Sequence, residues 1–379
     1  MQNFIRNIIG EIPIFGRNTK FIITCCLIYG TVLLFSSFIA QHWGGLFSAS
    51  CQWDCIWYLD LARNGYSYFP NLENSYLLGQ ANWAFFPLYP ILIKFISTIT
   101  TLGYKNSALI LNIFLYPWII LLCYRELIIR NIIVNKFLFI LFFAIYPFNI
   151  WYSSQYTEAL YGFLLIAAIL SVRQKRFYLA SLCCFFLALS RPTGFLLSIP
   201  LSFWYYFIES NSNINLFDKK NHIAFINSLL IIACSGLGLS LYVLYLFHIT
   251  GDGFAFAHIQ RAWGRHLIFF PKKIVKAFFH KQTVILGVYG LLVLYLIKKM
   301  SNKTWLLNTL LVSTTALIAL STSLDSIERY VFGNPLTIQF LACKTLSNSK
   351  NKIIFVFLLL IILHTLTTIL WFQRSSWMM

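Results

Sequence analysis

Acidic side chains are scarce in this sequence. Eleven Asp and Glu stand among 379 residues, and charged residues of either sign make up 11% of the chain. Soluble domains carry about 25% charged residues, so an ordinary water-exposed surface is excluded. Metal-ligand spacing is missing too. The seven histidines form no His-x-x-x-His or similar pattern, and no His or Cys partner sits at ligand spacing from Cys51 and Cys55. No zinc-type site is therefore expected. No alternation of the β-barrel kind runs through the chain. Internal repeats, low-complexity tracts and a separate soluble domain are also absent from the sequence. The first apolar run, Phe21 to Ala40, is too long for a signal-peptide core and ends without a small-x-small cleavage pattern. It reads as an uncleaved signal anchor.

What remains is apolar. Hydrophobic residues make up 59% of the chain. They recur in runs of about 20 residues, long enough to cross a hydrocarbon core of about 30 Å. The expected fold is an all-α polytopic transmembrane helical bundle, with residues 1–379 forming a single integral membrane domain. Eleven spans are expected, near 21–40, 107–124, 137–151, 158–172, 177–190, 194–208, 225–248, 283–297, 304–320, 330–345 and 353–372, and counts of ten to thirteen are compatible with the pattern.

The net charge is +18. In a soluble protein that would raise nucleic-acid binding. Here the basic residues fall in loops and set orientation, and no nucleic-acid partner is expected. With the N-terminus in the cytoplasm, the inner segments hold 17 of the 29 basic residues and four of the eleven acids, a net of +13 against +5 outside. That agrees with the positive-inside rule. The inner set includes Arg6, Glu11, Arg17 and Asp218. The count depends on Phe85 to Thr100. This stretch is apolar enough to span, and a span here would flip every later segment. Pro87, Pro90 and Lys94 favour an amphipathic helix laid along the membrane surface. Two long loops then face outward, 41–106 and 249–282, the first expected to form a small structured cap with surface helices.

Informative polar residues collect on that outer side. The first group is Trp53-Asp54-Cys55-Ile56-Trp57-Tyr58-Leu59-Asp60-Leu61-Ala62-Arg63-Asn64-Gly65-Tyr66. Asp54, Tyr58 and Leu61 share one face if the stretch is helical, and Asp60 points elsewhere. Asp54 reads either as a helix-start carboxylate favoured by the macrodipole or as a general base tuned by its aromatic neighbours. A Cys51–Cys55 disulfide fits four-residue helical spacing poorly, so free thiols are expected. Glu158 opens an apolar run, as a helix-start acid or as a group that orients hydroxyls and supports Asp54.

Arginines make the other half of the pattern. Arg191 sits in Ser190-Arg191-Pro192-Thr193-Gly194, where it either caps a tight turn or serves the site. The loop 249–282 breaks the charge rule with Arg261, Arg265, Lys272, Lys273, Lys276 and Lys281. Headgroup contact is the plain reading of the lysines. The sharper reading gives Arg261 or Arg265 a phosphate, which a guanidinium fork matches. Gln260 and Trp263 suit sugar recognition by hydrogen bonding and ring stacking. Arg329 has the same phosphate potential, or pairs with Glu328 or Asp325.

These motifs, in this order, resemble the PIG-V family of membrane mannosyltransferases. Asp54 with Trp57-Tyr58, then Leu61-Ala62-Arg63-Asn64-Gly65-Tyr66 and Ala84-Phe85-Phe86-Pro87-Leu88-Tyr89-Pro90, carries the most specific likeness. Tyr146-Pro147-Phe148-Asn149 through Ser154-Gln155-Tyr156-Thr157-Glu158-Ala159-Leu160-Tyr161 is similar to the family's second motif. The turn at 190–194 matches at Arg191 and Gly194 only. Gln260 and Trp263 resemble its Gln-x-x-Trp loop, and Glu328-Arg329-Tyr330 its late Arg-Tyr motif. The resemblance implies a GT-C fold and an active site on the exoplasmic face. It implies a polyprenyl- or dolichyl-phosphate sugar donor, typically of mannose, and an inverting single displacement.

Carried to this chain, the resemblance makes Asp54 the base, with Glu158 beside it. Arg191, Gln260, Arg261, Trp263, Arg265 and Arg329 would hold the donor's phosphate and sugar. Trp57, Tyr58 and Tyr156 would position the acceptor. The acceptor is the growing glycosylphosphatidylinositol anchor in eukaryotic members, and another glycolipid or glycan fits a bacterial-type member. No Asp-x-Asp pair for a cation on a nucleotide sugar is present, so neither cofactor nor metal is expected; the lipid-linked sugar is a substrate. Besides both substrates, the partner implied is the bilayer. The competing class is a transporter or flippase of lipid-linked sugars, which would call for inverted repeats and mid-membrane ionisable groups. A subunit that kept the fold without activity is a third reading, which the presence of Asp54 opposes.

Overall fold

In hydrocarbon every backbone N–H and C=O must find its partner within the protein, so uninterrupted runs of Leu, Ile and Phe become helices. The computed structural model describes residues 18–72, 78–210, 219–280, 283–375 and 378, and among these there are helices and turns but no strand. Arg6, Glu11, Arg17, Asp218 and Lys281 of the charge pattern lie outside the described residues. The fold is an all-α membrane bundle.

Its principal helices are α1 (Thr19–Ala40), α2 (Cys55–Asn64), α3 (Leu88–Thr100), α4 (Tyr104–Ile129), α5 (Lys136–Ile145), α6 (Glu158–Arg173) and α7 (Phe177–Ser190). They continue with α8 (Pro192–Glu209), α9 (Lys219–Thr250), α10 (Phe270–Ala277), α11 (Val284–Met300), α12 (Leu306–Thr322), α13 (Pro335–Leu346) and α14 (Lys350–Phe372). Helix lies on each of the eleven expected spans. Among the described residues, five helical stretches are long and apolar enough to cross a membrane: Thr19–Trp43, Tyr104–Ile129, Asn221–Thr250, Lys303–Thr322 and Lys350–Phe372. The expected span 137–151 is not straight. α5 stops at Ile145, and the next turn, Pro147–Ser153, is bent from it by 78°. Pro147 lacks the N–H that would continue the ladder. Counted as one broken span, this pair is the sixth. The span expected at 330–345 opens instead with a π-helical turn, Glu328–Phe332, before α13.

The interior is built around α6, which is buried along nearly its whole length. α4 and α7 pack on it, α9 lies along α7 and α8, and α12 leans on α8. Close approach sets one residue type. A Cβ at Gly194 would stand 2.1 Å from the Leu187 carbonyl oxygen, so the α7–α8 turn closes only with glycine there. α3 buries Tyr89, Pro90 and Ile93 while Ile91, Phe95 and Ile99 stay exposed.

The expectation of free thiols at Cys51 and Cys55 fails, because the two form a disulfide with Cα atoms 5.3 Å apart. The helix begins only at Cys55. Residues 51–54 form a tight turn, with Trp53 at φ +45°, so helical spacing does not apply.

Candidate active site

The two halves of the first motif hold each other. Gly65, at φ +78°, ends α2. Tyr66 donates its hydroxyl to the Phe85 carbonyl at 2.6 Å. Asn82 donates to Asp60 Oδ2 and the Gly65 carbonyl, each at 3.1 Å, and accepts from the Ser67 N–H at 3.1 Å. Tyr242 of α9 donates to the Trp83 carbonyl at 2.6 Å. Asp60 is thus a scaffold acid that ties α2 to the segment before α3. The motif presents Phe85 and Phe86 as one wall of a cavity of about 730 Å³.

The polar floor of that cavity comes from four separate places. Asp54 stands just before α2, Glu158 is the first residue of α6, Arg191 lies between α7 and α8, and Arg329 sits in the π-helical turn. Asp54 does not cap its own helix. Its Oδ2 accepts from Arg329 Nη1 at 2.7 Å, and among the described residues Oδ1 has no hydrogen-bond partner. Arg329 also places Nε 3.2 Å from Glu158 Oε1. Arg191 reaches the same oxygen with Nη2 and donates from Nε to Thr157 Oγ1 at 2.8 Å. Tyr58 meets Thr157 through a 3.3 Å hydroxyl contact. Asp54 and Glu158 stand at helix starts and Arg191 at a helix–helix turn, yet all three side chains are engaged across the site, and Arg329 pairs with neither Glu328 nor Asp325.

Tyr330 extends the network. Its phenolic oxygen accepts from Arg329 Nη2 at 2.7 Å and from Arg265 Nη1 at 3.4 Å. With both lone pairs engaged, its own O–H is left to donate. Arg191 and Arg329 each lie over its ring as well, at 5.3 and 4.7 Å. At the rim, His258 Nδ1 lies 2.6 Å from Asp252 Oδ2. That hydrogen bond holds the Asp252 carboxyl below the usual carboxylate range.

Most of the expected site residues meet here. Asp54, Tyr58, Glu158, Arg191, Gln260, Arg261, Trp263, Arg265 and Arg329 all line the cavity. Four arginines against two carboxylates leave a cationic excess that suits an anion. Two expected residues lie behind the lining. Trp57 stacks on Phe85 and meets Trp263 edge-on, with centroids 5.8 Å apart in both cases. Tyr156 is buried beneath Asp54. It accepts from the Asp54 N–H at 3.0 Å and donates to the Gln52 carbonyl at 3.1 Å. Neither lines the cavity; each packs against groups that do. Thr157, Tyr161, Tyr330 and His258 were not singled out from the sequence. Tyr330 stands beside Arg329 in the late motif, which was the available signal. Among the described residues no group of three His, Cys, Asp or Glu side chains gathers as for a metal ion.

No family model and no curated protein matches the chain. Among solved structures it is similar to the oligosaccharyltransferase of Archaeoglobus fulgidus. Against the complex with Zn and sulfate the TM-score is 0.48 at 14% identity, over 94% of this chain and 53% of that one. Against that archaeal enzyme, AglB, with an inhibitory peptide and a dolichol-phosphate, the values are 0.45 and 12%, over 94% and 55%. The chain spans about half the length of these proteins.

Proposed function

We propose that the protein is a membrane glycosyltransferase of the GT-C type. It moves a hexose, mannose in the first instance, from a polyprenyl or dolichyl phosphate to a hydroxyl of a glycolipid or glycan. The carrying observation is the Asp54–Arg329–Glu158–Arg191 network on the floor of the cavity. It offers a carboxylate oxygen without a hydrogen-bond partner among the described residues, beside a surplus of guanidinium groups. A proton acceptor and an anion holder are the two groups that a phosphate-leaving displacement needs.

In this reading the acceptor hydroxyl gives its proton to Asp54 Oδ1 as its oxygen attacks the anomeric carbon. The carbon–oxygen bond to phosphate breaks on the opposite face, its electrons leaving with the lipid phosphate. Arg329 orients Asp54 through Oδ2. Arg265, Arg261 and the Tyr330 hydroxyl receive the phosphate, where preorganised donors stabilise charge as it develops. Glu158 keeps Arg191 and Arg329 in place. Phe85, Phe86 and Trp263 give the sugar and the first isoprene units an apolar wall. The Cys51–Cys55 disulfide supports an exoplasmic site, since such bridges persist on the oxidising side of a membrane.

The test is transfer by the purified protein in detergent, from radiolabelled polyprenyl-phosphate mannose to a lipid extract of its own cell, with Asp54→Asn alongside. A labelled product from the wild type, and a loss of about 10²–10⁴-fold in the variant, is expected. An Asp54→Asn protein at full rate would overturn the base assignment. Movement of the lipid-linked sugar across liposomes, with no product, would replace the enzyme by a transporter.

A further inference from the structure

The disulfide closes a five-residue ring, Cys51 to Cys55, with Asp54 inside it. A bridge across so short a loop removes far less chain entropy than one joining distant segments. Its effect therefore falls on the loop rather than on the fold. Trp53, in the ring, lies in the left-handed region at φ +45°, which costs a residue with a Cβ and persists only where surroundings over-determine it. Tyr156 supplies a second restraint from inside. Its hydroxyl bridges the Gln52 carbonyl and the Asp54 N–H. Gln52 Nε2 donates in turn to the Ala49 carbonyl at 2.8 Å. Cys55 is fully buried, in a cluster with Ala49, Ile150, Trp151, Tyr156 and Trp371. The ring is thus pinned at both ends and from below. Its carboxylate is aimed at Arg329 and not at its own helix.

We propose that Cys51 and Cys55 are positioning residues whose disulfide holds Asp54 in reach of its substrate, so that the site is competent only when oxidised. The proposal rests on Asp54 being the base of the transfer above. A trialkylphosphine would convert the bridge to two thiols, becoming the phosphine oxide with oxygen from water. Released from the ring, Trp53 can leave its left-handed conformation and Asp54 can turn back to cap α2. A misplacement of about 1 Å at a reacting group costs on the order of 10²-fold in rate.

The experiment uses the full chain in detergent, as purified, after phosphine treatment, and as the Cys51→Ser/Cys55→Ser variant. Three quantities are read: kcat and KM for transfer, the melting temperature, and hydrogen exchange of the peptide spanning 50–57, which needs no substrate. The expected result is a fall in kcat of about 10–100-fold in both altered forms. KM should hold within about twofold, with faster exchange near Asp54 and a lower melting temperature in the serine variant alone, whose residue 55 hydroxyl is buried among apolar side chains. Reoxidation should restore kcat to the treated wild type, and phosphine should do nothing further to the variant. Unchanged kcat together with unchanged exchange would overturn the proposal. So would alkylation of both Cys51 and Cys55 in untreated protein. If the oxidised wild type transfers nothing, the enzyme reading fails by itself, while faster exchange on reduction still supports the clamp.

Discussion

Two buried ion networks stand at the two ends of α6, about 22 Å apart by helical rise. Both are built on a glutamate with two arginines. At one end Glu126 receives Arg173 at 2.6 Å and Arg130 at 3.0 Å. Gln339 donates to the same carboxylate at 2.9 Å, and Asn308 donates to Gln339 at 3.0 Å. Arg130 is covered by the Trp305 ring, 4.1 Å away. At the other end Glu158 receives Arg191 and Arg329. There Glu158 Oε2 has no hydrogen-bond partner among the described residues, a second acid shares Arg329, and the group opens into a cavity.

The difference teaches how to tell a clasp from a site. Around Glu126 both carboxylate oxygens are used, and side chains from α4, α6, α12 and α13 converge on them. A buried network whose carboxylate is fully engaged helps make the packing unique, and the two atoms it leaves without a hydrogen-bond partner among the described residues, Arg173 Nε and Asn308 Oδ1, line no part of the cavity. Around Glu158 the same residue types are left incomplete, beside an Asp54 oxygen without a hydrogen-bond partner among the described residues and a surplus of arginine. Buried charge alone would not separate the two, since Glu126 is as deeply buried as Glu158. Incompleteness next to space does.

The comparison breaks most readily at Arg329. Arg329→Ala removes the partner of Asp54 and of Glu158 at once, and transfer should fall by about 10²–10³-fold. Arg329→Lys should recover little, because an ammonium cannot reproduce the fork between two acids. The matched change at the other end is Glu126→Gln. It strands two buried guanidinium groups, and stability should drop by about 3–5 kcal/mol, seen as a lower melting temperature in detergent. The folded fraction should keep its kcat. A Glu126→Gln protein that melts normally but turns over slowly would show that the clasp belongs to the chemistry.

Smaller effects sharpen the contrast. Tyr156→Phe deletes the bridge under Asp54 and leaves the cavity lining intact. Each lost hydrogen bond is worth about 1 kcal/mol, so kcat should fall roughly tenfold with KM unchanged. Arg265→Ala should act on the donor instead, raising its KM by about tenfold, if a charge-assisted phosphate contact of about 1.5 kcal/mol is lost. The least effect is expected at the rim, where Asp252 and His258 are largely exposed. The Asp252 carboxyl is held low by His258. Its small contribution to stability is therefore present above the ordinary carboxylate range and fades as pH falls below it. His258→Ala should lower melting slightly near neutral pH, where that contribution is present, and change nothing below the carboxylate range, where it has already faded.

Much of the architecture was legible in advance. Uninterrupted apolar runs, with proline and charge at their ends, place helix on every expected span. Acids were few enough that Asp54, Glu158 and the late Glu-Arg-Tyr motif stood out. The misses have local causes. The 51–55 stretch carries a helical pattern, yet its first four residues turn, because a bridge, the left-handed Trp53 and Tyr156 outweigh propensity. The bend at Pro147 was hidden by the apolar residues on either side of it. That Trp57 and Tyr156 sit behind the lining was not legible either, since burial is set by packing between distant segments.

The sequence by itself determined the class of molecule, the order of its helices and the stock of reactive groups. Helix formation and membrane partition depend on side chains within a few turns of one another, and that information is local. Only the tertiary structure decided which charges meet. Asp54 and Arg329 are 275 positions apart, and no periodicity links them. Their pairing follows from how α6, the 190–194 turn and the π-helical turn pack together. That same packing separates two glutamates of one helical core into a closed clasp and an open site.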